Sequence, residues 1–506
     1  MTPRITTVLI TAAIVLGGAF LYARALGDVP PYLIHDEAQG ALQAHAVATT
    51  GRDLSGRWLP MYFTEPEFPP GRDPALIYVT ALGLTVLPFT EAGVRTPTAL
   101  IGVLNIVLMF FAARALFRST WAGLLAAALL ALTPIHFIRA RLLLSPLYSI
   151  PFVLAWLWSL GRFDQHPTAR RFVDACAWLA LGMYSYLAAV VMMPIYLLMT
   201  IAVAARTIRW RSVILAAAVF VVVLLPMALW YLTHPERTSQ IVSAYQLETA
   251  GAGARLGLYW RFFDPSFLFV SGDPSLVNST RGSGLFPMAF AVLLPIGLAA
   301  LVRSRSPIQL VLAAGFLAAP IVSVISGAIE MNRVMFALPF AALVATYGAM
   351  TLWQLRSMLS KAAAALLVLS IALQFQVFYR GYMSEAYRAA AASWFSGNVR
   401  EALRELIARS GDADVYVSAD IEWVHRMWRF YAIEAGRLDL ISRTTYFTDP
   451  PATAAPGAKL LCQAGSTRCS AIQTSGAWHE VVRIPSRGDS RVFIIFERSA
   501  ANNKAG

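Results

Sequence analysis

The sequence predicts a mainly α, polytopic membrane protein of about eleven transmembrane helices, followed by a C-terminal soluble α/β domain. Three observations lead there. Of the 506 residues 58% are hydrophobic and only 14% charged, with a mean hydropathy of +0.59. A soluble core cannot hide that many apolar side chains, so most of the chain belongs in lipid. The net charge of +13 comes almost entirely from arginine, the lysines being Lys361, Lys459 and Lys504, and these charges cluster in short loops between apolar segments. Such a pattern sets topology and gives no reason to expect nucleic-acid binding. Finally, the composition changes after Tyr379.

The first apolar run, Ile5 to Leu26, is too long for a signal-peptide core and reads as a retained span, with Arg4 on the inner side. Residues 27–96 then form an external loop rich in Pro, Gly and charge. Within it, Pro74 to Phe89 is apolar but short of the roughly 20 residues that a comfortable span needs. Whether it crosses decides every later orientation. If it does not, the spans Thr98–Phe117, Trp121–Phe137, Pro146–Leu160, Phe172–Leu187, Val190–Ala205 and Val213–Leu232 place Arg114, Arg118, Arg162, Arg170, Arg171, Arg206, Arg209 and Arg211 inside. Leu285–Val302, Ile308–Ile325, Val334–Trp353 and Ala362–Phe378 complete the set, with Arg303, Arg305, Arg356 and Lys361 also inside. Counting Pro74–Phe89 as a span would reverse all of them, so it is expected to be a juxtamembrane helix.

The transmembrane module is therefore expected over residues 1–379, with external loops 27–96 and 233–284, and an extracytoplasmic α/β domain over 380–506. In that tail Glu385–Arg409 reads as an amphipathic helix, and Asp414–Ser418, Lys459–Cys462 and Val492–Glu497 as strands. It carries no glycine-rich phosphate loop, zinc-ligand spacing or serine-hydrolase elbow. Cys176 lies in an apolar segment, whereas Cys462 and Cys469 lie in the tail and can pair if it is exported.

The chemistry gathers on the outer face. His35-Asp36-Glu37 stands just beyond the first span, where carboxylates stay ionised at the water boundary next to the hydrocarbon. The alternative is a solvated loop start. Arg139 and Arg141 break the positive-inside pattern on that same face, either because they snorkel to the headgroups or because a guanidinium there awaits a phosphate. Arg333 is another outer arginine, with Glu330 close enough for a local ion pair. The aromatic stretch Tyr259 to Pro274 suits interfacial anchoring or stacking on sugar rings. Acids and arginines converging there suit transfer of a group from a lipid-linked phosphate. Asp36 would take the proton of an acceptor hydroxyl, Glu37 and His35 would orient acceptor or base, and Arg139, Arg141 or Arg333 would stabilise the departing phosphate.

The order of these features resembles the membrane glycosyltransferases of the C-type fold, specifically the bacterial relatives of protein O-mannosyltransferases and of the lipid A aminoarabinose transferase. The residues that carry the likeness are His35-Asp36-Glu37-Ala38, the proline-led Asp73-Pro74-Ala75-Leu76-Ile77-Tyr78, Ile138-Arg139-Ala140-Arg141, Gly182-Met183-Tyr184-Ser185-Tyr186, Phe267 to Asp273, and Asn332-Arg333 through Pro339. The resemblance implies a polyprenyl-phosphate sugar donor, an inverting reaction with Asp36 as the catalytic carboxylate, a hydroxyl acceptor on protein, lipid or polysaccharide, and a multi-pass location in the inner membrane of a bacterium. It also places Asp273 among the substrate-binding residues. Two departures matter. Relatives carry Lys-Pro-Pro-Leu where this chain has Arg72-Asp73-Pro74-Ala75, so Arg72 is expected to substitute for a phosphate-binding lysine. Ser145-Pro146 stands where an acid is common, so a metal-independent enzyme without cofactor is expected. The rival readings are a transporter or flippase of a lipid-linked or polar solute, or a scaffold with an exported tail. A transporter would set ionisable residues at mid-membrane, and the middles of these spans are almost free of charge.

Overall fold

The structure, a computed structural model, describes residues 3–65, 68–205, 207–236, 239, 251–486 and 491–499. Expectations for Arg206, for residues 237–238 and 240–250 of the second external loop, and for Lys504 lie outside the described residues.

Each apolar segment read from the sequence holds a helix. Helix α1 spans Pro3–Ala23, and the later ones include Thr120–Ala131, Ile150–Gln165, Ala169–Gly182, Ala189–Ala204, Trp210–Thr233, Phe290–Ser304, Ala337–Gln354 and Met358–Tyr382. Among the described residues, Glu91–Phe117, Trp210–Thr233, Pro307–Ile325 and Met358–Tyr382 are each long and apolar enough to cross a bilayer unaided. The bundle is drawn tight by small residues. On Phe290–Ser304 and Ala337–Gln354, a Cβ added at Gly297 would lie 2.1 Å from the Val344 carbonyl oxygen, and one at Gly348 2.2 Å from that of Leu293. Only glycine permits that approach, the usual device where lipid supplies no hydrophobic drive for helix association.

The residues between α1 and the helix Glu91–Phe117 build a platform at one end of the bundle. Helix α2, His35–Thr50, ends at Gly51 in the left-handed conformation (φ 68°) and packs Ala38, Ala41 and Ala44 into one core cluster with Leu76, Ile77 and Ala81. Those last three lie on α3, Pro74–Leu84, which starts with Pro74 in its first turn, where the missing N–H costs nothing. It stops five residues before the expected Phe89. The strands Phe63–Glu65 and Phe68–Arg72 form an antiparallel pair that leads into α3. Helix α4, Glu91–Phe117, starts earlier than the expected Thr98, because the Thr90 hydroxyl accepts the Gly93 N–H and caps it.

Beyond Tyr382 the expected single helix is two, Glu385–Ala391 and Val399–Ser410. The chain breaks at Gly397, which takes φ 60°, and Ser396 there donates to the Leu33 carbonyl at 2.6 Å. A five-stranded sheet follows, in the order Thr444–Phe447, Val415–Ser418, Lys459–Gln463, Phe493–Arg498, Trp478–Ile484. The first three strands are parallel and the last two join antiparallel. Cys462 and Cys469 are disulfide-bonded, and Cys176 is buried as a free thiol.

This C-terminal part sits on the platform. Glu91, buried at the start of α4, receives Tyr431 Oη at 3.0 Å and Arg400 at 3.3 Å, and the Phe89 ring lies 4.7 Å from that of Phe430 and 4.6 Å from His45.

Candidate active site

A cavity of about 510 Å³ opens between the start of α2, the helical turn Pro134–Arg139, the 273–278 and 329–332 segments and the C-terminal part. His35, Asp36, Arg139, Asp273, Asn332 and Trp423 are among the side chains on its wall. Four of the site residues expected from the sequence therefore meet there: His35, Asp36, Arg139 and Asp273.

Asp36 is half-exposed and pairs with Arg72 at 2.8 Å and, at 3.6 Å, with the His35 imidazole. Burial pushes its pKa upward, but the Arg72 guanidinium, His35, the Arg72 hydrogen bond and Arg426 outweigh that and hold the carboxyl below its usual range. Asp36 is thus an ionised acceptor at physiological pH. His35 is pushed below its ordinary value, first by burial and then by Arg426 and Arg72, against the opposing pull of Asp36 and Glu422.

Arg139 is buried and donates to the Asn332 side-chain oxygen at 2.6 Å, while its Nε has no hydrogen-bond partner. A buried guanidinium on the wall of a cavity fits an anionic oxygen. Asp273 turns one carboxylate oxygen into its own loop, accepting from Ser275 N at 2.7 Å and Asn278 Nδ2 at 3.4 Å. Arg72 lies just behind the wall, through Asp36.

Besides Arg72, three expected residues are not on the cavity wall. Glu37 is fully buried, takes two bonds of 2.9 Å from Arg95 and accepts from Leu143 N at 2.9 Å and Ile34 N at 3.2 Å. Its oxygens are saturated, so it cannot act as a base or touch an acceptor; it anchors the start of α2. Arg141 is likewise wholly buried; its two terminal nitrogens donate to the carbonyls of Leu21, Tyr22, Arg24, Ala25 and Val29, clamping the end of α1, while its Nε has no partner. It stands two residues after Arg139, past the end of the Pro134–Arg139 helix, so the two guanidinia point in different directions and take different tasks. Arg333 reaches back to Glu330 at 3.2 Å, the local ion pair that the sequence allowed.

Three contributors escaped the sequence reading. Asn332, inside a quoted motif, orients Arg139. Asp73 stands before α3; burial pushes its pKa up to about 7, opposed by Ser145, Arg72 and the Leu187 backbone. Its place immediately after Arg72 in an apolar context was the available signal. Trp423 comes from the distant C-terminal part, where nothing in the sequence connects it to Asp36. Among the described residues no three His, Cys, Asp or Glu side chains are grouped to hold a metal ion.

A family described as dolichyl-phosphate-mannose-protein mannosyltransferase matches residues 69–230, a stretch that includes Arg72, Asp73 and Arg139 but not Asp36. Among solved structures, ArnT from Cupriavidus metallidurans bound to undecaprenyl phosphate superposes with a TM-score of 0.61 at 15% identity, covering 96% of this chain and 97% of that one. ArnT from the same organism in the apo state gives 0.59 at 15% identity, covering 98% of both chains. The chain has the C-type glycosyltransferase fold. It is accordingly a polytopic membrane protein, mostly helical, with a small C-terminal sheet. A search of curated proteins by sequence gives no match.

Proposed function

We propose that this chain is an integral-membrane glycosyltransferase that moves a sugar from a polyprenyl-phosphate donor to a hydroxyl acceptor on the outer face of the cytoplasmic membrane, with inversion. The observation that carries the reading is the shared cavity of an ionised Asp36 and a buried Arg139 guanidinium. Support comes also from the fold, and from ArnT having been captured with undecaprenyl phosphate.

In the proposed step the acceptor hydroxyl gives its proton to Asp36 as its oxygen forms a bond to the anomeric carbon. The bond from that carbon to the phosphate oxygen breaks on the opposite face, and the electron pair leaves with the polyprenyl phosphate. Arg139, itself buried and held by Asn332, meets the growing negative charge, and a fixed donor pays no reorganisation as that charge develops. Arg72 can pass from the Asp36 carboxylate to the incoming phosphate, which strengthens Asp36 as a base only when donor is present. Asp273 would contact the sugar. Glu37 and Arg141 hold the scaffold.

About eleven spans are proposed, with the N-terminus inside, residues 1–379 as the transmembrane module and residues 380–506 outside. The Cys462–Cys469 disulfide supports an exported C-terminal part, since such bonds persist in oxidising compartments. The inner membrane of a bacterium is the proposed location.

The test offers membrane vesicles containing the chain a panel of radiolabelled polyprenyl-phosphate sugars, follows sugar leaving the lipid, and reads the anomeric configuration of the product by NMR. An inverted product from one donor of the panel is expected. A retained configuration would refute single displacement by an acceptor activated at Asp36.

A further inference from the structure

The C-terminal part does more than rest on the platform. Trp423 reaches down so that its indole stacks on the His35 imidazole, with ring centroids 4.9 Å apart and planes 14° from parallel. The Arg426 guanidinium lies 4.3 Å from the centroid of the same indole, and the indole N–H donates to Glu422 at 3.0 Å. The backbone is specialised for this. Trp423 has φ 54°, left-handed, immediately before the helix Val424–Glu434. A bulky side chain in that region is an outlier that persists only where its surroundings enforce it, and such outliers concentrate at functional sites. The neighbouring segment Ser393–Ser396 lines the same cavity, and Ser396 is bonded to Leu33, two residues before His35.

We propose that Trp423 is a positioning residue: through it the C-terminal part holds the His35 imidazole flat beside Asp36, so that the outer-face site is complete only when the two parts of the chain are docked. In its effect on turnover this rests on the glycosyl-transfer reading; the stack itself does not. Stacking fixes the ring that faces Asp36 at 3.6 Å and keeps water from one of its faces. The charged and titratable groups that face His35 are Asp36 on its own helix, Arg72 from the strand before α3, and Glu422 and Arg426 from the C-terminal part. Removing the indole deletes none of these four groups, frees Glu422 and Arg426 from their contacts with the ring, and lets water reach the imidazole. His35 then titrates closer to its ordinary value near 6.5.

The variants are Trp423→Gly, which suits the left-handed backbone while deleting the ring, and Trp423→Phe, which keeps an aromatic face. The first readout is the pH dependence of hydrogen–deuterium exchange at the His35 Cε1, followed by mass spectrometry on the full chain in detergent. It needs neither donor nor acceptor. Trp423→Gly is expected to raise the His35 midpoint, and Trp423→Phe to leave it near wild type. The second readout is transfer from the active donor of the panel. Trp423→Gly should lower kcat about tenfold with KM for the donor unchanged, and Trp423→Phe should restore most of it. An unmoved His35 midpoint in Trp423→Gly overturns the proposal, as does a shifted midpoint with unchanged kcat. A shifted midpoint in a chain whose wild type transfers no sugar would refute the glycosyl-transfer reading and leave the stack upheld.

Discussion

Replacing Glu37 by alanine separates a structural carboxylate from a catalytic one. Glu37 carries both Arg95 bonds at 2.9 Å and accepts two backbone N–H groups, all without contact with solvent. Arg95 also ties down the carbonyls of Leu26, Pro30 and Tyr32, so the pair sets the path from α1 into α2. Glu37→Ala strands a buried guanidinium, and removing one partner of a buried ion pair costs about 3–5 kcal/mol. Arg95→Met strands the carboxylate and should cost a similar amount. The double variant strands neither charge, so its loss should fall short of the sum by about 2–3 kcal/mol. Equilibrium unfolding in mixed detergent micelles, run on all four chains, reads the cycle directly. If Glu37→Ala unfolded like wild type and yet failed to transfer sugar, the structural assignment would be wrong and Glu37 would return to the chemistry.

Two further outcomes follow from the site. Arg139→Gln removes the buried cation whose Nε lacks a partner, and binding of undecaprenyl phosphate measured by thermophoresis should weaken at least about tenfold, a charge-assisted hydrogen bond being worth about 1.5–3 kcal/mol. Unchanged binding would place the phosphate elsewhere. Asp73 has its pKa raised to about 7 from an unfolded value near 4, so the folded chain binds the extra proton. Its contribution is therefore fully present below about pH 4 and is lost as pH rises toward 7, and Asp73→Asn should flatten that part of the stability profile. An unaltered slope in urea titrations across this window would show that Asp73 ionises normally.

The parts legible in the sequence are those set by local pattern. Apolar runs bounded by arginines gave helices in their expected places, and the short Pro74 segment is an eleven-residue helix. Where the reading failed, long-range partners decided. Glu91 and Arg95 looked like loop charges, yet both are buried in α4, because Arg400 and Tyr431 reach Glu91 and Glu37 reaches Arg95. Asp36 and Glu37 are adjacent, and Arg139 and Arg141 nearly so, yet one member of each pair lines the cavity and the other is turned into the protein, because positions one or two apart point in different directions. Sequence alone carries no sign of which is which. The expected helix through Glu385–Arg409 is broken at Gly397 and Ser396, whose bond to Leu33 crosses 363 positions. Trp423 belongs to the same class: its relevance to His35 exists only in the docked fold.

The central claim is that Asp36 is the base for sugar transfer from a lipid phosphate, and Asp36→Asn tests it most directly. The variant keeps the size of the side chain and removes its capacity to take a proton. With the donor found in the panel, transfer should fall by at least about 10²-fold while undecaprenyl phosphate binds as in wild type. Transfer at the wild-type rate in Asp36→Asn would contradict the account.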